Sequence, residues 1–348
     1  MSENSKIEWC DHTFNPWEGC QKVGPGCDHC YAEARNTRFG GGKPVNWGPG
    51  APRRRTSPAN WRKPLAWNAA HDEFFAAHGR RQRVFCASLA DVFDNAVPDA
   101  WRAELIDLIW NTPHLDWLLL TKRIGNAGPM ITRALELAGR GINTPWPWSN
   151  VWLGATVVNQ AEADRDVEKL LMTPAHRRFL SMEPLLGPVD LREWFDPTGV
   201  CCMREMQSCE NCPADAPWIH GPTTEYAEDG SGYSSPEIDW VIVGGESGHG
   251  ARPMHPEWAR SLRDQCSAAG VPFLFKQWGE HSLGYDRDRD DPDWRRCSVM
   301  DRRPGRWINL AGGHGFHGDR VHYAERVGKR AAGRLLDGRT HDEFPEVR

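Results

Sequence analysis

The sequence lacks any run of roughly 18 apolar residues, the length that a membrane-spanning helix requires, so we expect no membrane span. Residues 1–6 are polar and no apolar stretch follows them, which argues against a signal peptide. No repeat of fixed period occurs. These absences predict a cytoplasmic protein. In that reducing compartment, eleven cysteines indicate metal or redox chemistry rather than a disulfide framework.

What is present is typical of a globular protein, with 348 residues, 39% apolar and 26% charged. The net charge of −5 predicts no general attraction to nucleic acid, but residues 35–83 hold eleven Lys or Arg against two acids. Two interpretations of this basic segment stay open. It is a solvated loop, or it is a nucleic-acid surface on which Arg53, Arg54 and Arg55 contact phosphates and Trp61 stacks on a base.

Seven short apolar runs recur along the chain with helical patterns between them, which is typical of a parallel sheet covered by helices. We therefore predict an α/β fold, a full or partial (β/α) barrel, with a doubly wound open sheet as the alternative. The predicted strands are 13–17, 84–92, 117–121, 151–158, 178–182, 240–243 and 272–276, and the clearest helices are 98–110, 160–171 and 256–269.

Two segments interrupt the predicted barrel, which spans residues 1–280. Residues 39–64 are rich in Gly, Pro and Arg and should form a long loop, and residues 191–237 read as a cysteine-rich insertion. Residues 281–348 are predicted to form an irregular carboxyl-terminal extension that ends in a helix over 323–336.

The first cysteine cluster directly follows the first predicted strand. Cys27 and Cys30 are two residues apart, and Cys20 joins them across Gly24-Pro25-Gly26. In α/β barrels the loops at the carboxyl ends of strands form the active-site face. Three thiolates would leave one iron of a four-iron cluster open. The alternative is a structural zinc site completed by Cys10 or His29.

The string Asn15-Pro16-Trp17-Glu18-Gly19-Cys20, continued by Cys27-Asp28-His29-Cys30-Tyr31-Ala32, resembles the cluster motif of radical S-adenosylmethionine (SAM) enzymes, particularly those similar to spore photoproduct lyase. The resemblance implies a 4Fe-4S cluster on Cys20, Cys27 and Cys30, SAM on the open iron, and release of a 5′-deoxyadenosyl radical. It also implies an electron donor such as a flavodoxin or ferredoxin. Six residues separate the first two cysteines here, where the usual motif has three, and His29 stands at a usually aromatic position.

The resemblance also suggests which residues bind SAM. His29 and Tyr31 flank the last cysteine, and Thr156, Asn159 and Glu183 end the fourth and fifth strands. Gly244-Gly245-Glu246 follows the sixth strand rather than the second, so we do not assign it the SAM-amine role. Other strand ends supply candidates on the substrate side: Asp91, Lys122, Arg123, Glu246 and Lys276.

Later stretches, including Glu183-Pro184-Leu185-Leu186-Gly187 and Phe275-Lys276-Gln277-Trp278-Gly279, resemble a poorly characterised phage and prophage family. That resemblance brings no established reaction.

A second cysteine cluster, Cys201, Cys202, Cys209 and Cys212, offers enough thiolates for a tetrahedral zinc site. An auxiliary iron–sulfur cluster and unligated thiols are the alternatives.

Together these features predict a radical SAM enzyme that modifies or repairs a nucleic acid or a nucleotide-derived substrate. One alternative is a radical SAM enzyme that acts on a peptide or a small metabolite. The other is a zinc-stabilised nucleic-acid-binding protein without catalysis.

Overall fold

The structure is a computed structural model that describes residues 3–141, 145–195, 237–290, 304–313, 315 and 320–346. Its strands are β1 (His12–Phe14), β2 (Trp17–Glu18), β3 (Arg54–Arg55), β4 (Gln82–Cys86), β5 (Leu115–Thr121), β6 (Val151–Thr156), β7 (Arg177–Met182), β8 (Trp240–Gly244), β9 (Phe273–Gln277), β10 (His281–Asp286), β11 (Gly305–Ile308) and β12 (His322–Arg326). Its helices are α1 (Tyr31–Phe39), α2 (Pro58–Trp61), α3 (Lys63–Ala69), α4 (His71–His78), α5 (Asp99–Trp110), α6 (Ile124–Leu137), α7 (Gln160–Met172), α8 (Arg192–Phe195), α9 (Pro256–Ala269), α10 (Arg287–Asp290) and α11 (Lys329–Ala332).

Seven strands form one parallel sheet in the order β1-β4-β5-β6-β7-β8-β9, curved as a half-barrel. Each of the seven predicted strands overlaps one of them. Because the strands lie side by side in chain order without a reversal, the doubly wound alternative is wrong. The prediction of a partial α/β barrel is confirmed at this level.

Two apolar layers lie on the two faces of the sheet. The outer layer packs α5, α6, α7 and α9 against the strands through residues such as Leu105, Ile131, Val167 and Leu262. The inner layer fills the concave face with large rings and aliphatic side chains: Trp9, Phe85, Leu118, Trp152, Phe179, Trp240, Ile242 and Leu274. Burial on both faces explains why these strands read as continuous apolar runs.

The ends of α9 follow from local chemistry, and its predicted bounds are confirmed. Pro256 occupies the first turn, where its missing N–H costs nothing, and the His255 ring accepts a hydrogen bond from the Glu257 N–H. Gly270 ends the helix in the left-handed conformation with φ of 70°.

The carboxyl-terminal extension differs from its prediction. Residues 322–326 form β12, which pairs antiparallel with β10 and β11, and only Lys329–Ala332 are helical. The predicted helix over 323–336 is wrong because Gly328 and Gly333, both with positive φ, interrupt it. Farther on, Phe344 packs on Trp240 and thereby adds to the concave core.

The predicted loop over 39–64 is wrong in its second half. There β3 pairs with β2, and Ser57 caps α2 by accepting a hydrogen bond from Asn60 N–H. No helix in the described ranges combines the length and the apolarity that a bilayer crossing needs.

Candidate functional site at the carboxyl edge of the sheet

The loop that carries the three cysteines, residues 19–30, lies across the carboxyl ends of the central strands. A Cβ atom on Gly26 would stand 2.7 Å from Val158 Cγ1, with Lys122 and Pro184 also within contact distance. A Cβ on Gly24 would stand 2.5 Å from a carboxylate oxygen of Glu162. The Gly-Pro-Gly sequence therefore permits a close approach to the ends of β5, β6 and β7 that bulkier residues would prevent.

Arg252, in the loop after β8, joins the cysteine loop to the sheet. Its guanidinium donates hydrogen bonds to both carboxylate oxygens of Glu246, at 2.6 and 2.8 Å. It also donates to the Asp28 carboxylate at 3.0 Å and to the Pro25 carbonyl at 2.8 Å. Glu246 is only 5% exposed, so it is a fixed anchor for this contact. Arg252 was not among the residues predicted from the sequence, because its two partners in the cysteine loop, Asp28 and Pro25, lie more than 200 positions away.

Each cysteine of the loop has a distinct environment. Cys27 is buried, whereas Cys20 and Cys30 are half-buried, and all three are free thiols. Burial raises the pKa of Cys20 to about 11, although Arg123, whose guanidinium lies 3.4 Å from the sulfur, favours the thiolate. Burial also raises the pKa of Cys30 above its usual value, although hydrogen bonds from the backbone N–H groups of Glu33 and Ala32 favour the thiolate.

Cys20, Cys27 and Cys30 supply the ligand type that zinc and iron–sulfur clusters take, but burial raises the pKa of Cys20 and of Cys30 despite the nearby cationic and N–H donors, so the free chain favours the thiol at both. In the described ranges, no three or more His, Cys, Asp or Glu side chains are grouped as metal ligands would be. Joint ligation of one centre by Cys20, Cys27 and Cys30 therefore stays a prediction. Of the two residues proposed to complete a zinc site, Cys10 packs in the concave core and His29 is exposed.

Asp91 and Arg123 form a buried ion pair behind Cys20, with their charged atoms 3.0 Å apart. Asp91 also accepts hydrogen bonds from the Thr121 hydroxyl and the Lys122 N–H, which ties the loop after β4 to the end of β5. Arg123 donates to the Gln21 carbonyl at 2.8 Å. Both residues were predicted on the substrate side, but their contacts position the start of the cysteine loop.

Glu183 and Lys276 form a second pair, at the ends of β7 and β9. The Lys276 ammonium lies 2.9 and 2.7 Å from the two carboxylate oxygens, and Gln277 donates a further hydrogen bond at 3.0 Å. Burial opposes ionisation of Glu183, but Lys276 and Gln277 outweigh it and hold the pKa below its usual range. The predicted SAM ligand Glu183 and substrate residue Lys276 therefore bind each other.

Lys122 differs from these paired groups. Lys122 is a half-buried residue whose Cε lies close to Gly26 of the cysteine loop, and its charge favours the thiolate of Cys30 and the carboxylate of Glu162. No hydrogen bond or ion pair joins the Lys122 ammonium to any side chain in the described part of the chain. A half-buried cation without a bonded partner is a candidate anion-binding group.

The remaining predicted SAM ligands have varied surroundings. Asn159 caps α7, since its side chain accepts a hydrogen bond from Glu162 N–H, which is a structural role. Thr156 is buried at the end of β6. The Tyr31 hydroxyl donates a hydrogen bond to the Ser88 carbonyl at 2.5 Å. The His29 ring lies against Gly250, where an added Cβ atom would stand 2.7 Å from the imidazole.

Ion pairs neutralise part of the charge of the basic segment, including the three arginines predicted to contact phosphates. Arg53 and Asp94 have no exposed side-chain surface and form an ion pair at 2.7 Å, which leaves Arg53 no surface on which to meet a phosphate. Arg54 pairs with Glu18, and Arg55 pairs with Glu104 while it lies over the ring of Trp61. Trp61 packs against the outer core and Phe14, so its ring has an internal role.

The second cysteine cluster, Cys201, Cys202, Cys209 and Cys212, lies outside the described residues.

The fold and these contacts define a parallel α/β half-barrel protein with a three-cysteine loop across the carboxyl edge of its sheet. The chain belongs to the family described as protein of unknown function (DUF5131), which matches residues 4–345. No curated protein and no solved structure matches the chain.

Proposed function

We propose that the protein is a radical SAM iron–sulfur enzyme, with Cys20, Cys27 and Cys30 as cluster ligands. The observation that carries the proposal is the position of the three free thiols on one loop that crosses the carboxyl edge of a parallel half-barrel. That edge is where α/β barrels place their active sites. Loop thiols there can present a cluster to a substrate bound over the strand ends.

A bound cluster would supply one electron to SAM and so a 5′-deoxyadenosyl radical, the chemistry that belongs to the cofactor itself. The chain's own residues would position the reactants. Glu246 and Arg252 hold the cysteine loop, and Asp91 with Arg123 fixes the residues around Cys20. Lys122 supplies an unbonded positive charge for an anionic group of SAM or of the substrate.

The substrate that we propose is a nucleic acid or a nucleotide-derived molecule. The exposed arginines on the surface beside the cysteine loop support this proposal. The electron would come from a flavodoxin or ferredoxin. Because a cluster of this kind requires reducing surroundings, we also propose a cytoplasmic location.

Anaerobic reconstitution with iron and sulfide tests the proposal. The parent protein should bind about four irons per chain, as a 4Fe-4S cluster does, and should produce 5′-deoxyadenosine from SAM under reduction. Cys27→Ala should lose both properties. Cys86→Ala, which removes a buried cysteine of β4, is the matched control and should keep both.

Two results would contradict the proposal. A Cys27→Ala protein with full iron content would show that Cys27 is not a ligand. A parent protein that binds zinc but no iron, and that never cleaves SAM, would favour the non-catalytic zinc protein.

A further inference from the structure

A cavity of about 200 Å³ opens beside the cysteine loop, between α1 and the β2–β3 ribbon. Its lining includes Glu18, Arg35, Phe39, Trp47 and Arg54. The volume is below the roughly 300–1,000 Å³ of pockets that enclose a whole drug-sized ligand. The cavity therefore suits a single ring system or one part of a larger ligand.

The charges around the cavity are unbalanced. Glu18 is the single carboxylate in the lining, and two guanidiniums pair with it: Arg54 on one oxygen and Arg35 at 3.7 Å from the other. The side chains of Arg35 and Arg54 keep 45% and 65% of their surface exposed. Arg38 adds a further exposed cation 5.9 Å from the centre of the Phe39 ring. The lining thus has an excess positive charge with which to meet an anion.

Phe39 is the most exposed large apolar side chain of the described ranges, at 75% exposure. Arg35 lies 5.1 Å from the centre of its ring. An exposed ring flanked by guanidiniums is the combination with which proteins stack a base and bind the adjoining phosphate. A solvated loop would require neither this exposed ring nor a cavity beside it.

We propose that this cavity binds one nucleotide, with its base stacked on Phe39 and its phosphate held by Arg35 and Arg54. A free mononucleotide and an unpaired nucleotide within a single strand share this chemistry. The site replaces the predicted Arg53, Arg54 and Arg55 set, of which Arg53 is buried. This nucleotide site deepens the proposed function and rests on it for the reaction that would follow binding. The cavity adjoins the cysteine loop, because its lining residue Glu18 lies two residues before Cys20 and its lining residue Ala32 lies two residues after Cys30.

Fluorescence anisotropy with a labelled single-stranded oligonucleotide and the full-length protein tests the site. The parent should bind, with an affinity that falls as salt rises. The Arg35→Ala, Arg54→Ala double variant should bind more weakly and reduce the salt slope by about 0.7 for each single-strand phosphate that an arginine no longer neutralises. Arg133→Ala, which removes an exposed arginine paired with Glu136 on α6, is the matched control and should leave binding unchanged.

Phe39 gives a second test that does not depend on charge. Phe39→Ala should weaken binding by about 5- to 100-fold, the range for loss of one base–aromatic stack, and Phe39→Trp should restore it. Because the ring is exposed, neither change should lower the unfolding midpoint. Competition by AMP at a comparable affinity would identify a free nucleotide as the ligand, whereas no competition would identify a single strand.

Failure of the parent to bind either the strand or AMP at physiological salt would overturn the site, as would parent-like binding by both sets of variants. The outcome is separable from the proposed function. Production of 5′-deoxyadenosine without nucleotide binding would contradict this site alone. Nucleotide binding without SAM cleavage would contradict the radical SAM proposal alone.

Discussion

Arg252→Ala should release the cysteine loop while the half-barrel stays folded. The substitution removes the hydrogen bonds from the guanidinium to Glu246, Asp28 and Pro25. It also leaves the Glu246 carboxylate buried at 5% exposure without its cationic partner. The loop would then be held mainly by its glycine contacts with the strand ends.

The size of the effect depends on the hydrogen bonds that loop opening breaks and on the exposure of the groups that form them. Opening the loop breaks the two hydrogen bonds that Arg252 donates to it, to Asp28 and Pro25, and a hydrogen bond with a charged group contributes about 1.5–3 kcal/mol. Here the Arg252 side chain is 26% exposed and Asp28 is 52% exposed, so solvent screens part of the interaction. We expect the free energy of loop opening to fall by about 2 kcal/mol, which corresponds to about a 30-fold larger open population.

Thiol alkylation followed by mass spectrometry measures this population, because Cys27 is 7% exposed and reacts when the loop opens. Its alkylation should be about 30-fold faster in Arg252→Ala. Cys86 and Cys266 are fully buried in the outer core and report global unfolding in the same sample. Arg263→Ala is the matched control, since Arg263 also bonds two carboxylates but lies on α9. An unchanged Cys27 rate, or equal acceleration at all three cysteines, would refute the argument.

Three further predictions concern stability. Arg53→Ala should lower the free energy of unfolding by about 3–5 kcal/mol, because it leaves Asp94 charged and buried, whereas the exposed Arg54→Ala should cost less than about 1 kcal/mol; equal costs in urea denaturation would contradict this. Burial lowers the pKa of His255 to about 4, so the stability that neutral His255 contributes is complete above about pH 6.5 and is lost as the pH falls towards 4. Between pH 7 and pH 5, the free energy of unfolding should therefore fall by about 2 kcal/mol less in His255→Asn than in the parent. An identical fall in both proteins would contradict the burial effect. Lys122→Met should change the free energy of unfolding by less than about 0.5 kcal/mol, because the ammonium has no bonded partner to give up, and a large loss would reveal a structural role.

The sheet could be predicted from the sequence because its signal is local. Strands buried on both faces are continuous apolar runs, and helices between them have their own start and stop residues. The same reasoning located the cysteine loop, since a loop after a parallel strand must lie at the carboxyl edge. It was wrong for residues 323–336, where β12 depends on pairing with β10 and β11.

The electrostatic partners could not be predicted in this way, because they are set by the fold. Arg53 and Asp94 are 41 positions apart, and Arg252 and Asp28 are 224 positions apart. A count of charges in residues 35–83 therefore indicated a basic surface, although part of that charge is neutralised by acids from other segments. Burial also cannot be counted from composition, so Arg53 was grouped with its exposed neighbour Arg54.

Ion pairing separates the polar strand ends into two kinds. Asp91 with Arg123, Glu183 with Lys276, and Glu246 with Arg252 each cancel their charges at the carboxyl edge of the sheet. Lys122 is left with a charge that no bonded group cancels. A charge that is bonded to nothing in the described chain, and whose removal should change stability little, is available to bind an anionic ligand. Arg252 and the Asp91–Arg123 pair hold the cysteine loop over the sheet, and Lys122 with the three thiols is the part of that edge on which the proposed function depends.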